Sequence, residues 1–288
     1  MFSTGFQVNL GVIDALIGRK EIAFIDAINH ACVVDGCRLA LGETVRFRHN
    51  DLGDLSRKLD EADAKKGKLI IVEGIYSMEG DIAKLPGCVR IALDHQCRLM
   101  VDDAHAIGVL GPTGAGTAEH FGVTEGVDLI MGTFSKSFAC IGGFIAGEAM
   151  VIDYLKHHAR TLLFSASMPP SAVATVHAAL EIIKSEPERR ERLWYNARKM
   201  HAGFRSLGYN IGHTESPVVP VIVGDDLPTF VFWKSLLNEG VFTNPVVSPA
   251  VPPGSARLRT SYMASHTDAQ LDFVLEKFEK VGKALGII

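Results

Sequence analysis

The chain has no long apolar run, no closely paired cysteines and no strong excess of either charge. Its most apolar later stretch, Phe138 to Ile152, is interrupted by glycines and by Glu148, and the start, Met1-Phe2-Ser3-Thr4-Gly5, carries no charged segment ahead of an apolar one. Neither a membrane span nor a signal peptide is expected. With 29 Lys and Arg against 33 Asp and Glu, the net charge of -4 gives no broad positive field for a phosphate backbone or an anionic lipid surface. Nucleic acid and membrane surfaces are therefore poor partners. The five cysteines, Cys32, Cys37, Cys88, Cys97 and Cys140, are odd in number, lie in apolar stretches and show no C-x-x-C spacing. Buried, reduced thiols in a cytoplasmic protein are expected, in place of disulfides or metal ligands. Repeats and low-complexity segments are absent too.

What is present is a chain of 288 residues, 47% hydrophobic, enough for one large domain and a smaller one. Short runs rich in Ile and Val alternate with longer amphipathic segments, the pattern of a largely parallel sheet crossed by helices. An α/β fold is expected. Strands are read at Glu21–Asp26, Lys68–Val72, Arg98–Val101 and Val127–Met131, each apolar enough to be covered on both faces. Polar residues cluster just beyond them. Because ligands of such sheets sit beyond the carboxyl ends of the strands, His30, Ser77, Asp102, His105, Thr133 and Lys136 are expected to converge on one crevice. From Ala149 to about Arg198 the pattern is helical, and the charge-rich Glu186–Arg192 reads as a solvated helix face. Beyond it, strands at Ser216–Val223, Val241–Asn244 and Arg257–Tyr262 and helices at Leu227–Glu239 and Thr267–Leu285 predict a smaller α+β domain. The expected division is 1–185 and 186–288.

The chemistry-bearing residues follow the strands. In Asp128-Leu129-Ile130-Met131-Gly132-Thr133-Phe134-Ser135-Lys136-Ser137 a lysine stands just past a buried strand, between small hydroxyl residues. Desolvation there lowers a lysine pKa and makes a competent Schiff-base amine; the plainer reading is a lysine reaching solvent. Asp102 and His105, in Val101-Asp102-Asp103-Ala104-His105, follow another strand. A buried carboxylate facing a pyridine nitrogen keeps it protonated and makes the ring an electron sink. The same residues also suit a divalent metal, but no third or fourth ligand has matching spacing. His30 can stack on an aromatic ring or serve as a hydrogen-bonded structural histidine. Gly111-Pro112-Thr113-Gly114-Ala115-Gly116 has the spacing G-x-x-G-x-G and reads as a flexible turn, not a dinucleotide fingerprint.

Seven ordered blocks resemble the α-oxoamine synthases, fold-type I pyridoxal-phosphate enzymes that join an amino acid to an acyl-coenzyme A with loss of carbon dioxide. They are Thr4-Gly5-Phe6 with Asn9, Asn29-His30-Ala31, Glu73 to Asp81, Val101 to Gly116, Gly132 to Ser137, Phe164 to Pro170, and Leu258-Arg259 with Ala264-Ser265-His266-Thr267. The resemblance implies that Lys136 is the Schiff-base lysine, that Asp102 partners the pyridinium nitrogen, and that His105 donates to the cofactor's phenolic oxygen. It implies that His30 stacks on the ring, that Ser77 reaches the phenolic oxygen, and that Gly5, Phe6 and Thr133 hold the phosphate. It further implies a contact from Ser165 across a homodimer interface and recognition of the substrate carboxylate by Arg259, whose guanidinium fork suits that task.

Gly240 to Pro245 and Ala250 to Gly254 resemble bacterial serine palmitoyltransferase-like members. Serine with a long-chain acyl-coenzyme A, giving a 3-ketodihydrosphingosine-like product of sphingolipid biosynthesis, is the expected reaction. Activities of the 2-amino-3-ketobutyrate ligase or 8-amino-7-oxononanoate synthase type are alternatives, as are a fold-type I aminotransferase and a non-catalytic chain that keeps the fold. The family carries a further N-terminal segment, so the chain is expected to be N-terminally truncated, with apolar surface left uncovered.

Overall fold

A computed structural model describes residues 1–288. The nine strands are β1 (Glu21–Asp26), β2 (Glu43–Phe47), β3 (Gly67–Glu73), β4 (Arg98–Asp102), β5 (Leu129–Thr133), β6 (Gly143–Gly147), β7 (Val218–Gly224), β8 (Asn244–Val246) and β9 (Ala256–Ser261). The helices are α1 (Gly5–Leu16), α2 (Ala31–Leu39), α3 (Leu52–Asp60), α4 (Leu85–Asp94), α5 (Thr117–Phe121), α6 (Ala149–His158), α7 (Arg160–Leu163), α8 (Pro170–Ser185), α9 (Pro187–Ser206), α10 (Asp226–Asn238) and α11 (Asp268–Ala284). They form two compact units, Met1–Tyr76 with Ala83–Glu186, and Ser77–Ile82 with Pro187–Ile288.

In the first unit six strands lie in the order β2-β1-β3-β4-β5-β6. All pairs are parallel except β5 with β6. Side chains of a strand alternate between the two faces, so each continuous apolar run feeds two cores. Ala23, Ile25, Leu69, Ile71, Met100, Leu129 and Met131 join α1 and α2 residues such as Val8, Val12, Ile13 and Val33 on one face. Ile22, Phe24, Ile70, Val72, Leu99 and Val101 meet Leu55 and Leu59 of α3 and Leu85 and Val89 of α4 on the other. Burial on both faces is what an all-apolar run can satisfy, at about 25 cal/mol per Å² removed from water.

The second unit has a three-stranded antiparallel sheet, β7-β9-β8, with α9, α10 and α11. Its core is aromatic. Phe278 of α11 is fully buried, and its ring centroid lies 4.9 Å from that of Phe204, 5.4 Å from Phe232 and 5.8 Å from Tyr209.

Several strand positions differ from the sequence reading. The run read as Val127–Met131 begins two residues later, because Thr124–Gly126 forms a 3-10 turn ahead of it. The expected strand at Val241–Asn244 is instead β8 at Asn244–Val246: Val241 N–H turns back to the Leu236 carbonyl at 2.9 Å, and its side chain packs into the aromatic core. The helical region is split at Glu186, since Pro187 has no N–H to continue α8 and opens α9 instead. The glycine-rich turn is fastened: Glu119 Oε2 accepts from the Thr113 and Ala115 amides at 3.1 and 3.0 Å.

Phe278→Ala removes the central ring of the aromatic core and is expected to destabilise the protein by about 3–5 kcal/mol. Denaturant unfolding of variant and wild type measures this, and a loss under 1 kcal/mol (roughly a single methyl's worth) contradicts the packing described.

Candidate active site

A cavity of about 330 Å³ opens in the first unit beyond the carboxyl ends of the parallel strands. Glu73 ends β3, Asp102 ends β4, and Met131 and Thr133 belong to β5; all four line it. The remaining wall comes from the start of α1 (Thr4, Gly5, Phe6), the start of α2 (His30, Cys32), Ile75, and the segments Ala104–His105, Ser135–Lys136 and Ile141–Gly142.

The N-terminus of α1 faces the cavity with its first backbone amides. Thr4 caps the helix, its Oγ1 accepting from Gln7 N at 3.2 Å. Gly5 is obligatory at this close approach: a Cβ there would stand 2.5 Å from Thr133 Oγ1 and 2.8 Å from Thr133 Cβ. Thr133 Oγ1 lies 2.9 Å from Ser135 Oγ. A helix N-terminus beside two hydroxyls is a ready site for a phosphate or other anion.

His30 is delivered by a turn that Asp26 organises. The buried Asp26 carboxylate accepts from Ile28 N at 3.0 Å, Asn50 N at 2.9 Å and the Tyr76 hydroxyl at 3.0 Å. Glu73 takes the His30 amide, and Asn29 Nδ2 donates to the Ile71 carbonyl at 2.9 Å. The imidazole then caps α2, its Nδ1 accepting from Cys32 N at 3.2 Å. Burial pulls the His30 pKa below its ordinary value, with Asp102 opposing and Lys136 reinforcing.

Asp102 is 4% exposed. Its Oδ1 accepts from Ala104 N at 3.0 Å and its Oδ2 from Asn9 Nδ2 at 2.6 Å. Burial pushes its pKa up, and those two donors with the nearby Lys136 and His30 charges pull the other way. The neighbouring Asp103 is taken up elsewhere, accepting from Thr117 N at 2.9 Å and Thr117 Oγ1 at 2.6 Å. No group of three or more His, Cys, Asp and Glu side chains is arranged to hold a metal ion.

The structure thus brings Gly5, Phe6, His30, Asp102, His105, Thr133 and Lys136 to one cavity. Lys136 is exposed there, not desolvated as the sequence reading had it. It stands past the end of β5 in a loop closed by Phe134 N to Gly142 O and Cys140 N to Phe134 O at 2.9 and 2.8 Å, which turns its outer side to solvent. Ser77 does not line the cavity. It lies in the second unit, where its carbonyl accepts from Arg259 Nε at 2.6 Å. Ser165 lies in the first unit and accepts from Gln7 Nε2 at 3.1 Å. Cys32, Glu73, Ser135 and the role of Asn9 were missed in the sequence. The signal for Asn9 was its place one helical turn after Gly5, on the face that α1 turns to the sheet.

A family model described as "Aminotransferase class I and II" matches residues 1–278. The chain belongs to this family. Within the class I and II aminotransferase family its relatives include a serine palmitoyltransferase of Sphingobacterium spiritivorum, 51% identical over 98% of this chain and 71% of the relative. An 8-amino-7-oxononanoate synthase of Treponema denticola is 44% identical over 100% of this chain and 73% of the relative. Among solved structures, a Sphingomonas wittichii serine palmitoyltransferase superposes with TM-score 0.97 at 40% identity, covering 100% of this chain and 72% of that one. One from S. paucimobilis with a bound PLP-myriocin aldimine gives TM-score 0.97 at 39% identity, covering 100% and 73%. The resemblance to α-oxoamine synthases and the mostly parallel fold-type I sheet are both borne out. No helix is long and apolar enough to cross a membrane.

Burial pushes the Asp103 carboxyl up to about 7. In the unfolded chain it loses its proton near 3.9 (about the ordinary value), so between these values the folded state binds more protons and stability falls as pH rises. Asp103→Asn keeps an acceptor for Thr117 and does not titrate. Denaturant midpoints from pH 4 to 8 are expected to show wild type losing stability against the variant by up to about 1.4 kcal/mol per pH unit in that window. Parallel curves contradict the assignment.

Proposed function

We propose that the chain is a pyridoxal-phosphate-dependent acyltransferase that condenses an amino acid, serine in the first instance, with an acyl-coenzyme A and releases carbon dioxide and coenzyme A. The observation that carries this reading is a single cavity holding an anion-binding helix start, a buried carboxylate and a lysine, in a chain 51% identical to a serine palmitoyltransferase. The reading also takes the protein as a cytoplasmic homodimer and the stretches 1–185 and 186–288 as its large and small domains.

The residues present fit the cofactor. Gly5 and Phe6 amides with Thr133 Oγ1 hold its phosphate, in a cradle that a Cβ at residue 5 would fill. Ser165 adds a phosphate contact across the dimer interface. With the cofactor bound, Asp102 would keep the proton on its pyridine nitrogen, His30 would lie against its ring and His105 would serve its phenolic oxygen. When bound, pyridoxal phosphate supplies an electron sink for negative charge developing at the amino acid's α-carbon.

Lys136 carries the cofactor and moves the α-proton; exposed on the cavity wall, its amine is reachable from solvent. Arg259 binds the substrate carboxylate. Its Nε is engaged by the Ser77 carbonyl, which fixes the guanidinium plane and leaves both Nη groups for a bidentate contact.

Added pyridoxal phosphate is expected to give purified protein a visible absorption band that requires Lys136, is lost in Lys136→Ala, and shifts with L-serine. Coenzyme A release with serine, glycine and alanine against short and long acyl donors then reads the reaction. Thiol release with serine and a long acyl chain supports the proposal; keto-acid-dependent amino transfer without thiol release sinks it, and absence of the band sinks the cofactor assignment. Arg259→Lys is expected to lower kcat/KM for the amino acid by about 10–100-fold, the worth of a charged bidentate contact. An unchanged value removes Arg259 from carboxylate binding.

A further inference from the structure

Asn9 is completely buried on α1. Its Nδ2 lies 2.6 Å from Asp102 Oδ2 and 3.0 Å from Cys32 Sγ. An amide nitrogen only donates, so both the carboxylate and the sulfur accept from it. Cys32 Sγ also stands 2.8 Å from His30 Nδ1. A ring nitrogen that accepts a backbone N–H in its plane carries no proton of its own, so in the contact with Nδ1 the thiol is the donor. The Cys32 backbone N–H, a donor without alternative, reaches the same Nδ1 at 3.2 Å.

We infer that Asn9 and Cys32 are positioning residues that hold His30 as a neutral ring with its proton on Nε2, and that Asn9 ties this lock to the Asp102 carboxylate. Two donors converge on Nδ1, and a ring nitrogen that accepts carries no proton. The direction of every bond runs from the Asn9 amide: to Asp102 on one side, and through the thiol to the imidazole on the other. Two further observations agree. Burial pushes the Cys32 thiol up to about 12, so the sulfur keeps the proton it must donate. Of the charged groups facing His30, Glu73 takes its backbone amide, Asp102 favours the charged ring and Lys136 the neutral one; burial, the largest influence, acts with Lys136 and pulls the ring toward its neutral form.

The inference rests on the proposed cofactor site only for its consequence. A neutral imidazole lies on a cationic heteroaromatic ring without like-charge repulsion, and it presents Nε2–H as a donor to whatever is bound above. Asp102 gains a donor that reaches it from within the protein, so its charge is supported at the oxygen that Ala104 does not serve.

The test uses ¹⁵N-histidine-labelled full chain, with the His30 signals identified by their loss in His30→Gln. At pH 7, without cofactor, His30 is expected to show an unprotonated Nδ1 and a protonated Nε2. Cys32→Ala removes one hydrogen bond to the neutral ring and is expected to raise the His30 midpoint by roughly half a unit to one unit; Cys32→Ser restores it. Asn9→Ala is expected to weaken pyridoxal phosphate binding, read by fluorescence titration, by about 10-fold or more, as befits a donor lost from a buried carboxylate. Protonated Nδ1 in the wild type, or a midpoint unmoved by Cys32→Ala, overturns the inference, and the cysteine pair decides it even where Asn9→Ala does not fold. Because the midpoint is read without acyl donor, loss of the acyltransferase reading would leave this result standing, and the reverse holds.

Discussion

Holding a carboxylate inside the protein, at the end of β4, is the constraint around which the first unit is arranged. An isolated buried charge is costly unless hydrogen-bonded, and Asp102 meets that cost from two directions. Its own chain turns back so that Ala104 N serves one oxygen, while a second element must bring a donor to the other. That element is α1, which packs on α2, β5 and β6. Its register is therefore set by a polar contact as much as by Val8, Val12 and Ile13, its apolar face.

The same helix serves the opposite end of the cavity. Gly5 and Asn9 are one turn apart on α1 and lie on the same face. Bringing Asn9 to Asp102 consequently brings the open amides of the first turn against Thr133, and the fit at Gly5 leaves no room for a side chain. Two polar functions separated by one helical turn move as a rigid body, which is how a site keeps sub-ångström geometry on a regular element. The second unit obeys a different logic. There a cluster of buried aromatic rings sets the helices on the sheet, and Arg257 and Arg259 of β9 bind the Ser77–Glu79 segment through its carbonyls and Glu79.

How far the fold was legible follows from which faces each strand buries. β1, β3 and β4 are covered on both sides, so their sequences are continuous apolar runs and were readable. β2, Glu43-Thr44-Val45-Arg46-Phe47, is an edge strand with only Phe47 buried, and its polar side chains disguise it. β6, Gly143-Phe144-Ile145-Ala146-Gly147, is the opposite edge, antiparallel and bounded by glycines that break its apolar run too short to stand out. Site residues show the same division. Asp102, His105, Thr133 and Lys136, which line the cavity, were legible because polar residues at the ends of apolar strands stand out. Asn9 and Cys32 sit on helix faces that are otherwise apolar, where a single amide or thiol reads as packing.

That difference explains why the positioning residues are the ones a pattern misses. A group that touches a ligand must be polar and reach open space, so it appears at a strand end or a loop. A group that orients another must be buried to be effective, because in water its hydrogen bond would be exchanged at little cost. Asn9 has its Oδ1 buried without a partner, an expense that burial imposes and that packing alone would not select. An apolar side chain at residue 9 would fill the space while leaving Asp102 Oδ2 and Cys32 Sγ without their donor. The unpaired oxygen is thus the cost of presenting two N–H groups from one side chain to a carboxylate and a thiol at once.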